Sequence, residues 1–392
     1  MKDVTMHEVG HTLGLRHNFR ASRIYSDKQL SDPEFTHNHA LTGSVMEYAA
    51  VNLANPGARP VAPFQTTLGP YDYWAIEYAY RPIAPADEKA TLEKIAARSG
   101  ERELAFGTDE DHHLGIDPEA LQSDLGDDEM AFARKRIAIA RDLFKRQESR
   151  TLPPTHDYAV LRRSLNYAIN DVARSAGVMA RQIGGVRTLR DFPGSGRDPI
   201  QPVPAAAQRD ALDVISRGLF AADSFAISPA LQRRLAPDFQ ERGEALQYVG
   251  SVSVMTEFSP AQRVLAVQRA LLNHLMGDAV AARILDNQSA GASRNESFQL
   301  TELYTRLERD IWSELRSGAD IPTGRRELQR EYLNRVAALL LRPAAASRAD
   351  ARGLVRAEAV DLLARIKSAS ARGSLSADAR AHLKDCDDTL TQ

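Results

Sequence analysis

Apolar residues recur along most of this chain at intervals of three and four, the rhythm of one helix face, and rarely alternate as a half-buried strand would. Tyr71, Trp74, Ala75 and Tyr78 keep that rhythm after Pro70, whose fixed φ suits a first helical turn, so a helix is predicted at its start. As an aromatic helix it should pack into a core. A short charged helix is expected near Asp87–Arg98, a long one marked by Met130, Ile137 and Phe144, and another over about Tyr158–Gln182. Further helices are expected near Ala205–Phe220, Pro229–Leu235, Pro260–Met276, Phe298–Ser317, Gly324–Leu341, Arg348–Ser370 and Ser376–Leu383. In Gly324–Leu341 the residues Leu328, Tyr332, Val336, Leu339 and Leu340 trace one stripe, as a bundle helix requires. The clear strand signal is a hairpin, with Val186–Asp191 and Asp198–Val203 flanking a Pro/Gly turn. Asn18–Gly43, polar and broken by Asp32 and Pro33, is expected to be a surface loop, and Asn52–Thr67, with three prolines, an irregular segment.

Composition narrows the possible functions. The 392 residues suffice for two or three domains, and 43% hydrophobic with 26% charged residues is ordinary for a globular chain. Fifty basic residues against 52 acidic ones leave a net charge of −2, which gives no footprint for nucleic acid. No apolar run approaches the roughly 18 residues of a transmembrane helix. The single cysteine, Cys386, excludes an internal disulfide and a cysteine-based zinc finger.

The candidate chemistry lies in the first nineteen residues, which contain His7, Glu8, His11, Gly14 and His17. A helix is expected over residues 3–13, with Val4, Leu13 and Leu15 available for apolar packing. His7 and His11, four apart, would sit one turn above each other and point at one ion. On a continued helix His17 would lie about 9 Å of rise beyond His11, too far for a Zn–N bond of about 2.0–2.1 Å. The helix must therefore stop near Gly14, which takes a left-handed C-cap cheaply and lets the chain turn back. Three nitrogen ligands without a fourth protein ligand describe one catalytic zinc ion with an open position. Glu8, about 100° round the helix from His7, is then placed as general base. Other polar clusters are weaker candidates. Asp109, Glu110 and Asp111, with Asp124, Asp127, Asp128 and Glu129, could hold Ca2+, although Asp127 and Asp128 also read as a helix N-cap. His37 and His39 read as loop residues, and the sequence assigns no role to His112 and His113.

HEVGHTLGLRH resembles the HExxHxxGxxH signature of the metzincin zinc metallopeptidases, and Ser44–Tyr48, SVMEY, resembles their Met-turn. The likeness implies that Met46 lies beneath the metal as an apolar floor and that Tyr48 ligates the metal or bonds the oxyanion. The chain is most similar to bacterial proteins with an EcxA-type zinc-binding domain, through these motifs, GPYDYWAIEYAY at Gly69–Tyr80 and SDLGDDEMAFARKRIAIARDLF at Ser123–Phe144. In that family the first histidine follows an upper subdomain whose edge strand pairs with substrate. Met1 lies only six residues before His7, so this chain is expected to be the C-terminal part of a longer, periplasmic or secreted protein, and the N-terminal part of the catalytic domain its partner.

The expected fold is mainly α: the C-terminal half of a metzincin catalytic domain (active-site helix, Met-turn, following helix) plus an α-helical domain with one β-hairpin. Limits are set at 1–82 for the zinc-binding part, 83–150 for a connecting region, and 151–392 for the helical domain with the hairpin near 186–203. The expected activity is that of an endopeptidase acting on a peptide or protein substrate. The alternatives are a catalytically incomplete helical binding or scaffold module, and a zinc amidohydrolase acting on a non-peptide amide.

Overall fold

The computed structural model describes residues 1–221, 224–238, 258–290, 296–372 and 374–391. Its elements are mainly helical and pack as two units. The first comprises residues 1–139 and 185–203, and the second residues 140–184 and 204–392.

In the first unit α1 (Lys2–Thr12) carries the histidine pair, followed by the short helices α2 (Asp27–Leu30), α3 (Pro33–Asn38), α4 (Pro70–Tyr80), α5 (Glu88–Ala96) and α6 (Asp109–Leu114). The helix α7 (Glu129–Ser149) contributes its first half here, and Asp128 Oδ1 caps it by accepting from the Ala131 N–H at 2.8 Å. Leu30, Leu41, Leu125 and Phe132 form a buried cluster, with Tyr25 and Ala50 against it. Its members Leu30 and Leu41 come from the segment expected to be a surface loop. Asn18–Ser22 and Ala40–Glu47 are buried, so both ends of Asn18–Gly43 are packed, while Asp27, Lys28, Asp32, Glu34 and His37–His39 between them are exposed. Part of its polar character serves internal bonding: the Asn18 amide, for example, donates to Ala105 O at 3.0 Å.

Two further expectations are corrected. The aromatic helix α4 buries Tyr71 and Asp72 but leaves Tyr73, Tyr78 and Tyr80 exposed, so most of its rings lie on the surface and not in a core. In α1 only His7 and Gly10 are buried, while Val4 and Leu13 are exposed. The helix is held by one edge.

The hairpin pairs β1 (Val186–Thr188) with β2 (Ile200–Pro202) antiparallel, in the register Val186 to Pro202 and Thr188 to Ile200. Its contacts tie it to the first unit. Val186 N–H donates to Ile116 O at 2.8 Å, and Thr188 donates through both N–H and Oγ1 to Asp117. Asp117 also pairs with the buried Arg20, while Glu119 meets Arg20, Arg23 and Arg187 at 3.3, 3.2 and 3.0 Å. Removed from water, such charges contribute mainly by fixing one arrangement, because desolvation offsets much of their attraction. What they fix is the chain just after His17.

The second unit is a helical bundle. Its long helices are α8 (Ala159–Ala180), α11 (Pro260–Leu275), α15 (Thr323–Leu341) and α16 (Ala349–Ser370). Between these lie α9 (Ala205–Ile215), α10 (Pro229–Gln232), α12 (Asp278–Ala290), α13 (Leu300–Ile311) and α14 (Ser313–Ser317), and α17 (Ala377–Thr391) ends the chain. The stripe Leu328, Tyr332, Val336 and Leu339 on α15 is buried, as its periodicity required. Trp312 stacks on His382 at 6.2 Å, and the ion pair of Arg325 with Glu314 (2.6 Å) is enclosed beside them. Cys386 is buried there too, and burial pushes its thiol up to about 12, so it stays protonated and inert.

Candidate metal centre

The end of α1 creates the site. Leu13 caps the helix and Gly14 follows in the left-handed region at φ +83°. Gly14 N–H then donates to His11 O (3.0 Å) and Leu15 N–H to Gly10 O (3.1 Å), the paired bonds of a Schellman turn. The chain reverses and brings the His17 ring to 5.3 Å from that of His7 and 4.8 Å from that of His11. The metal-ligating atoms that these three rings offer all lie within 4.8 Å of one another.

The rings are oriented by what their Nδ1 atoms meet. His7 Nδ1 faces Val45 O at 2.8 Å, His11 Nδ1 faces Leu15 O at 3.0 Å, and His17 Nδ1 lies 2.9 and 3.0 Å from the two Asp109 oxygens. Each partner is an acceptor, so each Nδ1 carries the proton and each Nε2 presents its lone pair. His7 Nε2 and His17 Nε2 are buried without a hydrogen-bond partner. Two orphaned acceptors aimed at one region fit a metal ion, which would satisfy both. Burial also holds His7 below the usual imidazole range, in the neutral form that a metal requires.

Beneath the histidines the chain turns at Ser44–Glu47. Met46 is fully enclosed, and a Cβ added to Gly10 of α1 would fall 2.2 Å from its Sδ. The turn is anchored from α4: Asp72 accepts from Ser44 Oγ (2.6 Å), Val45 N–H (3.0 Å) and Gly69 N–H (2.8 Å). A side chain at Gly69 would meet Gly43 O at 2.1 Å, so glycine alone allows that approach. Asn18, buried, joins three segments. Its N–H donates to Met46 O (3.0 Å), its amide to Ala105 O (3.0 Å), and its Oδ1 accepts from Gly107 N–H (3.2 Å).

Tyr48 is half exposed, its ring 4.9 Å from that of His7 and 4.7 Å from that of His17. Burial first, then the charges of Glu8 and Asp109, raise its phenol above the ordinary value. Glu8 lies on the exposed side of α1, near enough for its charge to act on both His7 and Tyr48. Behind Tyr48, Glu47 and Asp124 are fully enclosed and meet at Ser22, whose N–H donates to Glu47 Oε2 and whose Oγ donates to Asp124 Oδ2, both at 3.0 Å. Burial pushes both carboxyls upward, helped by the charge of Asp124 at Glu47 and by that of Glu129 at Asp124.

The other candidates do not converge. Asp109 serves His17, Glu110 binds Arg16 (2.7 Å), Asp111 accepts from Thr108 N–H and Arg190, and Asp127 faces Arg102 at 3.3 Å. His37 is exposed, His39 stacks on Phe35, and His112 Nδ1 faces Ala120 O. A cavity of about 810 Å³ in this unit, lined by Tyr71, Trp74, Phe106 and several arginines, takes no histidine of the triad into its wall. Its arginines are paired, for example Arg23 with Glu129 and Arg190 with Asp111.

Gly10, Asn18 and Asp72 support the histidines and were not singled out from sequence, and Asp109 was singled out as a possible calcium ligand, not as the partner of His17. Asp109 alone had a local signal, since Thr108 and Asp111 form the capping pair that marks a helix start. That signal locates α6 without saying what it touches.

A helix-borne histidine pair and a third histidine beyond a glycine turn form a cluster that could hold a metal ion, in a mainly helical chain. The chain belongs to the Met-zincin family, whose model matches residues 1–318, and the family is one of zinc metallopeptidases. No curated protein and no solved structure matches the chain. Among the described residues, no helix is long and apolar enough to cross a membrane.

Proposed function

We propose that this chain hydrolyses peptide bonds as a zinc-dependent endopeptidase, with His7, His11 and His17 holding one zinc ion through Nε2 and Glu8 as general base. The observation that carries the reading is the shared tautomer: three Nδ1–H groups are engaged by acceptors, so three Nε2 lone pairs remain for a metal. Bound there, zinc supplies Lewis acidity, which acidifies water and polarises a carbonyl. Glu8, on the solvent side of α1, takes the proton from the attacking water and passes it to the leaving amine. Tyr48 presents its phenol beside His7 and His17, and the raised pKa keeps it protonated as a donor to the developing oxyanion. Met46 acts as a rigid apolar floor, enclosed and pressed against Gly10.

The test is Glu8→Gln, assayed on a peptide library with zinc content measured in parallel. A fall in kcat/KM of about 10²–10⁴-fold with zinc retained is expected. Unchanged hydrolysis removes Glu8 from the mechanism, and hydrolysis confined to non-peptide amides removes the peptidase assignment.

A further inference from the structure

The three histidines are supported unequally. His7 and His11 ride on α1, so the helix backbone fixes them, and each Nδ1–H needs only a neutral carbonyl. His17 lies beyond the left-handed turn at Gly14, outside any helix, and only its Nδ1–H meets a charged acceptor. That acceptor is Asp109, from a helix start 92 residues further along the chain.

We propose that Asp109 is a positioning residue for the third metal ligand, forming a carboxylate–histidine–metal relay. The claim rests on the metal reading of the triad. Three surfaces confine the His17 ring: Phe19 stacks on its face at 5.1 Å with 22° between planes, Tyr48 lies tilted at 4.7 Å, and both Asp109 oxygens lie within 3.0 Å of its Nδ1. The free edge carries Nε2, which is buried and unpartnered. Asp109 itself accepts from Thr108 Oγ1 at 3.4 Å, whereas the neighbouring Arg16–Glu110 pair is more than half exposed and adds little to the contact. The same contact does for His17 what α1 does for His7 and His11. It fixes the Nδ1–H tautomer and sets the ring plane, which leaves Nε2 facing the metal position.

The test measures zinc affinity by competition with a chromophoric chelator, Co2+ visible absorption, and thermal unfolding of the metal-free protein. The variants are Asp109→Ala, the near-isosteric Asp109→Asn, and Glu110→Gln as a control that removes a neighbouring charge without touching the ligand. Asp109→Ala is expected to weaken zinc binding about 10–100-fold. Asp109→Asn should lie between it and the parent, with an altered Co2+ spectrum and unchanged metal-free unfolding. Glu110→Gln should stay within about twofold of the parent. Should Asp109→Ala not fold, Asp109→Asn decides alone. Parent-like affinity and spectrum in Asp109→Asn would overturn the proposal, as would an equal loss in Glu110→Gln, which would make the effect one of net charge. If the parent chain itself binds no zinc, the metal reading fails, a result distinct from either of these.

Discussion

Gly10→Ala places one methyl group where α1 crosses Met46. The new Cβ would lie 2.2 Å from Sδ, 3.5 Å from Cε and 3.7 Å from Cγ, against an ordinary contact of about 3.5–4.0 Å. Met46 is the usual kind of residue to yield, being long and flexible, but it is enclosed on all sides, and its backbone is bonded through Met46 O to Asn18. Helix propensity alone would make the change stabilising by about 1 kcal/mol. Overpacking a closed site costs about 1–3 kcal/mol, and the depth of this overlap calls for the upper end. A net loss of about 1–2 kcal/mol is expected from urea unfolding, together with weaker zinc binding, because the Val45 carbonyl that orients His7 belongs to the displaced turn. In a Met46→Ala background the obstacle is gone, so the same Gly10→Ala change should become stabilising by about 1 kcal/mol. If Gly10→Ala stabilises the parent chain as it does the Met46→Ala variant, the packing of α1 on the methionine is refuted.

The Glu47–Asp124 pair should show a pH signature in the difference between the parent and Asp124→Asn, in which the titration of the buried histidines cancels. Burial and Glu129, against Ser22 and Arg23, push the Asp124 carboxyl from about 4 up to about 7 in the folded chain, so the folded state holds a proton that the unfolded state has released. The stability advantage of the parent over Asp124→Asn is therefore largest below pH 4, declines as pH rises to about 7 and is level above it; a flat difference in urea unfolding between pH 4 and 8 would show no shared proton. Gly14→Ala meets no atom within 4 Å, so its cost is the left-handed backbone alone. A loss of about 1–2 kcal/mol is expected in denaturant unfolding, smaller for Gly14→Asn, and parent-like stability of Gly14→Ala would mean that the turn takes another form.

The local part of the centre was legible because its causes are local. The spacing of His7 and His11 and the glycine at position 14 are consequences of helix geometry within one stretch of chain, and the Schellman turn is what that stretch folds into. Helices were likewise readable at α4, from Pro70 and its periodicity, and at α15, from its apolar stripe. The role of α4 was not. Its aromatic periodicity suggested a buried face, whereas the residue that matters is the acidic Asp72, which neutralises donors of a turn more than twenty residues upstream. Polar residues mislead in the same way at the ends of Asn18–Gly43, where the Asn18 amide and the Thr42 hydroxyl bond backbone carbonyls inside the fold. Long-range pairings such as His17 with Asp109 leave no periodic trace, since neither partner constrains the spacing of the other. The α12 helix, Asp278–Ala290, also had no expectation attached, its apolar residues being crowded into Ala279–Leu285 and not spread as a stripe along its length.

The distance in sequence between His17 and Asp109 has a further consequence during synthesis. A ribosome adding about 5–20 residues per second delivers Asp109 roughly 5–20 s after the histidine it orients. The hairpin at Val186–Pro202, which clasps Asp117 and Glu119, emerges later still, after α8 of the other unit. The nascent chain thus carries all three histidines well before it carries the carboxylate that aims the third.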